Sequence, residues 1–480
     1  MSAAAAELFS WATGEGATLG VEPCHSALGG LGCRATEAAS SGAELMRCPL
    51  RLVLRASMAL SDPTIGGPLT TLRGELGEAV LDTRFLLCVL LLHCRRQGPS
   101  SFFSAYVQCL PGDELVKSLP CCWSDAELEA RLSGTPLLGE ARRGRQQLEE
   151  THEVVLRHGL CARWPKVFPC ASYTLAALRW ADAMFWSRAI SVPVGSLATS
   201  LKAGVSEQCL VPLLDLCNHR PGSVADLAVL RAPASGAAAG AASVPGAVSD
   251  TCWVLRAGCA VERGEEVLIN YGAKGNGELL RAHGFVLDDN AADVYSLDLA
   301  PLLPADASAR RARTDACAAL LGLCDASHCF LHRGGLPRQL LQTARLLCAS
   351  DDDLLKAQAE AQAEETPFDW SACDWSADDP FANTAAADTG EVVGQAALDA
   401  LLALLREGLA ALDAACSSPP PPTPGGAGAC ERAATYRAGM RRLLQEAIEA
   451  VEARAEEEGR GGELRQGSET DGARKRPRTS

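Results

Sequence analysis

The period of the apolar residues changes three times along this chain, and that order limits the architectures open to it. Up to about residue 60 the pattern is that of short strands broken by turns. Gly29-Gly30-Leu31-Gly32 is turn-rich, and Cys48-Pro49-Leu50-Arg51-Leu52-Val53-Leu54 alternates apolar and basic residues as a half-buried strand does. From Leu81 the period is helical, with Leu81, Phe85, Cys88, Val89 and Leu92 on one face. Further helices are predicted at 125–132 with Ser124 as N-cap, at 142–158, and at 172–190 with Ser172 as N-cap. Strand character returns at 209–216, 252–255 and 266–271. After about residue 301 the composition is helix-forming throughout, at 308–321, 337–349, 354–365, 392–416 and 430–457. This order predicts an α+β chain: a β-rich unit interrupted by a helical insert, followed by an all-helical domain.

At 480 residues the chain exceeds one ordinary core, so two or three domains are expected. The run of Ala, Gly, Ser and Pro at 232–248 buries too little to fold and reads as a flexible surface loop. Residues 419–428 read as a linker, stiff and then flexible. An acidic insert carries the near-repeat Asp369-Trp370-Ser371-Ala372-Cys373 and Asp374-Trp375-Ser376-Ala377-Asp378, and reads as disordered. The end, 459–480, reads as a disordered polar tail containing Arg474-Lys475-Arg476-Pro477-Arg478, which is either a nuclear-import signal or a solvated tail.

Charge and cysteine usage narrow the class. A formal net charge of -15 repels phosphates, so a nucleic-acid partner is not expected and a basic protein or peptide is compatible. The 21 cysteines are odd in number and scattered, and 1–20 carries neither a basic start nor an apolar run, so a reduced intracellular compartment, cytoplasmic or nuclear, is expected. Cys24/His25, Cys121/Cys122 and Cys324…His328-Cys329 have no matching second half, so no metal site is expected. The longest apolar run, 85–92, is too short to span a bilayer, which argues against a membrane protein.

Two segments carry chemistry. Leu210-Val211-Pro212-Leu213-Leu214-Asp215-Leu216-Cys217-Asn218-His219 is an apolar strand ending in Asn and His, and Gly264-Glu265-Glu266-Val267-Leu268-Ile269-Asn270-Tyr271-Gly272 is a turn and strand ending in Tyr-Gly. Polar groups at the ends of apolar strands are costly unless satisfied, so they either line a site or form a capped strand end and a core tyrosine.

The first segment resembles the signature of SET-domain methyltransferases. The second, with Asn276, Glu278-Leu279-Leu280 and Gly284-Phe285-Val286-Leu287-Asp288-Asp289-Asn290, is similar to the second signature of the branch that contains Rubisco large-subunit lysine methyltransferase and actin-histidine methyltransferase. Gly30-Leu31-Gly32-Cys33-Arg34-Ala35 with Cys48-Pro49 resembles that branch's first strands. Ser101-Phe102-Phe103-Ser104-Ala105-Tyr106, Leu110-Pro111, Leu132-Ser133-Gly134-Thr135-Pro136-Leu137 and Ser187-Arg188-Ala189 match its helical insert, and Tyr436-Arg437-Ala438-Gly439 its last helix. The resemblance covers about 5–455, with the motifs in order.

The resemblance implies a SET domain at 5–300, its helical insert at about 81–200, and a helical substrate-binding domain at 301–457. It implies a pseudoknot that tucks the Asn218-His219 strand under a loop near Tyr271. It implies S-adenosylmethionine as cofactor and a lysine of a non-histone protein as acceptor, with a histidine acceptor as the alternative and a non-catalytic SET-like binding module as the rival. The chain is expected to act as a monomer on a protein substrate.

Roles follow residue by residue from that resemblance. Arg188 would pair with the cofactor's methionine carboxylate, a task suited to a planar fork of donors, although a surface salt bridge would also use it. Asn218, the backbone of His219, and the backbone of Gly30, Leu31 and Gly32 would contact the cofactor; the His219 side chain could equally be structural. Tyr271 is the candidate catalytic residue, also touching the cofactor, because a phenol oxygen holds a methyl group through weak C–H···O contacts during an in-line transfer. Asp215, His283 and Phe285 are candidates for the substrate side, where Asp215 could be structural and Phe285 core. His283 stands where Rubisco-type enzymes tend to carry a tyrosine, which separates this chain's substrate from theirs.

Overall fold

The computed structural model of the chain describes residues 2–193, 206–223, 226–231, 251–321, 327–356, 394–417 and 426–472. The loop at 232–248, the Asp-Trp repeat, the proline run at 419–424 and the basic cluster at 474–478 lie outside these residues. The chain divides into two compact units, one of Met1–Cys122 with Arg143–Gly272, the other of Trp123–Arg142 with Ala273–Ser480. This partition differs from a division at 300: Leu280, Tyr295, Leu297 and Leu299 are buried in the second unit's core.

The first unit opens on a helix, Ala3–Gly14, where strands were expected. Its alanines are strong helix formers, and Ala5, Leu8 and Ala12 bury one face. The antiparallel hairpin Val21–His25 and Leu31–Ala35 follows, its turn passing through Gly29 and Gly30 at φ +105° and +71°, a backbone that glycine adopts without strain. A four-stranded antiparallel sheet runs in the order Thr18–Leu19, Glu44–Pro49, Thr251–Arg256, Asp226–Arg231. The strand expected over 48–54 stops at Pro49, which has no N–H to extend a ladder, and turns into the 3-10 helix Leu50–Leu52.

The insert is helical as expected. Its central helix, Thr83–Gln97, starts where the Asp82 carboxylate accepts from the Phe85 N–H, and every residue from Phe85 to Cys94 is buried. Helix Pro136–Glu150 leads into a π-helix over Thr151–Cys161, so the continuous α-helix expected over 142–158 is broken. The last insert helix is Leu175–Arg188; Thr174, not Ser172, caps it by accepting from the Ala177 N–H. Strand Ala189–Pro193 then pairs with Ser206–Leu210.

Two further strand expectations are corrected in the motif segments. The one over 209–216 ends at Leu210; Leu213 adopts φ +73° and starts the 3-10 helix Leu214–Leu216. Residues 266–271 form no ladder, only an antiparallel bridge Arg34↔Glu266 and a parallel bridge His219↔Ile269.

In the second unit, helix Asp125–Leu132 carries the predicted cap as a full capping box between Ser124 and Glu127. Helix Asn276–His283 closes on Gly284 at φ +73°. The stretch after 301 is not all-helical: His328–His332 pairs antiparallel with Val294–Asp298, burying alternate residues. Helices Ala307–Leu321, Arg338–Cys348, Gln395–Ser417 and Gly426–Gly472 supply the rest, with Leu340, Leu398, Leu405, Met440, Leu444 and Val451 fully buried. The last helix continues to Gly472, across part of the stretch from 459 where a disordered tail is expected. Among the described residues no helix is long and apolar enough to cross a membrane, and no cluster of His, Cys, Asp and Glu is arranged to hold a metal.

Candidate functional site

The parallel bridge between His219 and Ile269 brings the two motif segments together in the first unit. The Ile269 N–H donates to the Asn218 carbonyl at 2.9 Å, and the Arg220 N–H donates to the Ile269 carbonyl at 3.1 Å. The Tyr271 N–H donates to His219 Nδ1 at 3.1 Å. That bond makes Nδ1 an acceptor, so the neutral imidazole carries its proton on Nε2. The His219 and Tyr271 rings stack with centroids 4.9 Å apart and planes at 26°. The Tyr271 hydroxyl donates to the Cys217 carbonyl at 2.9 Å. Burial pushes its pKa up, which outweighs the opposing pull of Arg188, so the phenol stays neutral.

The Asn218 amide is tied on the other side. Its Nδ2 donates to the Leu31 carbonyl at 3.1 Å and to Glu266 Oε1 at 2.9 Å, while Ser26 Oγ donates to Glu266 Oε2 at 3.0 Å. Glu266 thus joins the glycine-rich turn to the Asn-His segment, a role sequence reading missed. Gly32 leaves room where these groups meet: a Cβ there would displace the Glu266 carboxylate and crowd the Asn218 amide. Gly30 sits in the exposed turn, and Leu31 is half-buried beside it. Glu266 also lines a cleft of about 140 Å³ with Leu45, Arg220, Ser223 and Leu268. That is smaller than a typical small-molecule pocket.

Arg188, the last residue of helix Leu175–Arg188, turns its guanidinium onto Asp215. Nη1 donates to the Asp215 carbonyl at 2.8 Å and stands 3.5 Å from Oδ2. The Asp215 side chain is 0% exposed, and its Oδ2 accepts from the Tyr106 hydroxyl at 2.7 Å. Burial raises the Asp215 carboxyl above its ordinary value even though Arg188 and Tyr106 pull it down. Burial works against the Arg188 charge, but Asp215, Tyr106, Tyr271 and Cys109 together outweigh it, so its pKa is raised and the guanidinium remains charged. Arg188 Nε and Asp215 Oδ1 are both buried and have no hydrogen-bond partner.

Asp215, Arg188, Asn218, His219, Tyr271 and the Gly30-Leu31-Gly32 turn therefore all belong to the first unit. His283 and Phe285 belong to the second, at the end of helix Asn276–His283, with rings 5.8 Å apart. Tyr106 and Ser26 are the other site neighbours that sequence reading passed over. Tyr106 stood within a quoted insert motif, but no local pattern marks a contact with a residue 109 positions away.

Solved structures share this arrangement of strands, insert and helical part. A crystal structure of the SET domain of LSMT bound to lysine and AdoHcy aligns at TM-score 0.66 and 19% identity, covering 94% of this chain and 91% of that one. The chain has the SET fold. A structure of Rubisco LSMT bound to AdoMet gives the same TM-score, 0.66, at 18% identity over 95% of this chain. No protein-family model matches the SET-fold chain. The actin-histidine N-methyltransferases of Mus musculus and Homo sapiens are each 24% identical to it over 356 residues, 72% of this chain and 53% of theirs. That of Gallus gallus is 25% identical over 362 residues. The SET-fold chain spans about half the length of these curated relatives.

Proposed function

We propose that this chain is a protein N-methyltransferase that uses S-adenosylmethionine and methylates a lysine side chain. The observation that carries the reading is the convergence of Asn218, His219, Tyr271 and Arg188 in one unit of a SET fold. The residues present fit the cofactor. Its methionyl end bears a carboxylate and an ammonium, and the site holds one buried orphan donor, Arg188 Nε, beside one buried orphan acceptor, Asp215 Oδ1. Two opposite unmet groups of that kind suit a zwitterion, since each left unpaired costs about 1–3 kcal/mol. Arg188 would hold the carboxylate, and the Asn218 Oδ1 and the Gly30-Leu31-Gly32 backbone would line the rest.

When bound, the cofactor supplies a methyl group on a positive sulfur. The chain's own residues do the remaining work. The Tyr271 hydroxyl, kept neutral and aimed by the Cys217 carbonyl, offers oxygen lone pairs to a passing methyl rather than acting as a base. The His219 ring, stacked on Tyr271 and accepting its N–H, holds that phenol in place. Asp215 holds Arg188 and presents no exposed side-chain atom to a peptide. The acceptor must be neutral on attack, and free lysine has a pKa of about 10.4, so it has to lose its proton before the transfer.

A second reading, a histidine acceptor, is favoured by the actin-histidine methyltransferases among the relatives. The test is transfer of labelled methyl from S-adenosylmethionine into proteins of a cell extract, followed by mass spectrometry of the labelled band. Wild type should label a discrete band, and Tyr271→Phe and Arg188→Ala should each diminish it at least tenfold. Methyl on lysine supports the first reading and methyl on histidine the second. No label together with no cofactor binding would leave a SET-like binding module.

A further inference from the structure

Helix Ser104–Cys109 lies in the helical insert, outside the strands and signature segments that build the site. Its Tyr106 is 1% exposed, and its hydroxyl ends on Asp215 Oδ2, the oxygen that also faces Arg188 Nη1. Arg188 Nη1 donates one bond to the Asp215 main-chain carbonyl, at 2.8 Å, and makes a longer approach, 3.5 Å, to its carboxylate. A carboxylate held by one long ion pair can rotate about its last torsion, which is broad and twofold. A second, short donor removes that freedom and sets the plane in which the guanidinium lies.

We propose that Tyr106 is a positioning residue for the cofactor's carboxylate pocket: its hydroxyl fixes the Asp215 carboxylate, and that carboxylate fixes the Arg188 guanidinium. The inference rests on the S-adenosylmethionine reading above. The first part of the insert then joins its last helix, which carries Arg188, in the binding machinery: Tyr106 reaches the pocket through the Asp215 and Arg188 side chains without itself touching the ligand.

The groups that face Asp215 define what titrates there. They are Arg188 at its helix end, Tyr106 and Cys109 on the insert helix, Cys33 on strand Leu31–Ala35, and Tyr271. Burial raises both phenols and the Cys109 thiol, and the Cys33 thiol is raised by its hydrogen bond with the Cys217 thiol and then by burial, so all four stay protonated, and the guanidinium stays charged. Asp215 is the group among them that gains a proton as pH falls. Once protonated, it releases Arg188 from its ion pair, so cofactor affinity should have an acid limb.

The test is calorimetric titration of S-adenosylmethionine into the full chain from mildly acid to mildly alkaline pH. It compares wild type with Tyr106→Phe, Asp215→Asn, the double variant, and Tyr173→Phe, a control at a buried tyrosine that packs on Phe168. Loss of the Tyr106 hydroxyl should weaken binding roughly tenfold at neutral pH, the scale of one hydrogen bond to a charged group. It should also move the acid limb to higher pH, because Asp215 takes up its proton more readily without that donor. The double variant should bind no more weakly than Asp215→Asn alone. Asp215→Asn should have no acid limb, and Tyr173→Phe should match wild type.

An unmoved acid limb in Tyr106→Phe, with losses that simply add in the double variant, would overturn the positioning role and leave Tyr106 as packing. Should Tyr106→Phe fail to fold, the Asp215→Asn profile decides, and a persisting acid limb there overturns the proposal. Wild type that binds no S-adenosylmethionine would sink the functional reading as well. That outcome is distinct from wild-type binding with an unmoved limb, which sinks only the inference.

Discussion

Asn218 spends both of its amide hydrogens inside the protein, one on Leu31 and one on Glu266. That leaves Oδ1 as an acceptor, suited to an ammonium or an amine. Glu266 decides this orientation, since a planar amide whose donors are fixed has its oxygen fixed too. Glu266→Ala is expected to free the amide and weaken S-adenosylmethionine binding about tenfold, the value of a hydrogen bond to a charged group. Glu266→Gln, which keeps one acceptor, should lose less. Calorimetry on the two variants checks this, and equal losses would show that the amide is not set by Glu266. Asn218, His219 and Tyr271 stood out in the sequence because polar residues at the ends of apolar segments are conspicuous, whereas Arg188 was marked only by the resemblance of Ser187-Arg188-Ala189 to the end of the helical insert. Glu266 lies inside the second motif segment, yet nothing in its immediate neighbours marks it. Its partner Ser26 is 240 positions away, and no local period records such a contact.

At the scale of elements, local chemistry was legible where it was self-contained. Helix Asp125–Leu132 was readable to its cap because Ser124 and Glu127 satisfy each other within one turn. Removing the cap hydroxyl by Ser124→Ala should cost about 1 kcal/mol, read from the urea midpoint. Glu127 adds a pH dependence. Burial works upward on its carboxyl, but the Ser124 and Arg131 contacts win and its pKa is lowered. The unfolded chain therefore binds more protons than the folded one between the two values, so stability rises with pH there. Its contribution is full above the ordinary carboxylate value and fades as pH falls through the lowered one. Ser124→Ala should cost less in acid than at neutral pH, and an unchanged difference would argue against the capping box as the cause. Strand His328–His332 was missed for the opposite reason. Five alternating residues carry too little signal, and their partner strand Val294–Asp298 decides the outcome. Residues 266–271 were read as a strand from composition, whereas their backbone pairing amounts to two isolated bridges and no ladder.

At the scale of the whole molecule, the chain order of the units was not legible. The second unit takes in Trp123–Arg142, a stretch that interrupts the first unit in sequence. Nothing in its helical period says which core it enters. Trp123, Leu128, Leu132, Leu137 and Ala141 are buried with Leu280, Leu340 and Tyr436. A chain cut to residues 1–272 keeps every candidate residue of the first unit but strips that segment of its partners. Such a chain is expected to bind a hydrophobic dye and to aggregate on size-exclusion chromatography, where the full chain does not. A well-behaved monomer that excludes the dye would show that the segment is dispensable to the first unit.

The bridge between His219 and Ile269, and the clasp from Ser26 to Glu266, also have a consequence for synthesis. A chain leaving the ribosome completes its helical insert before the second motif segment exists, and Cys217, Asn218 and His219 wait for their partners until residue 271 emerges. Pairings that distant close late. The interval exposes sticky surface to its neighbours. A codon change that slows translation just before Glu266 would lengthen that interval, and the yield of folded protein, rather than the activity of what folds, should register it.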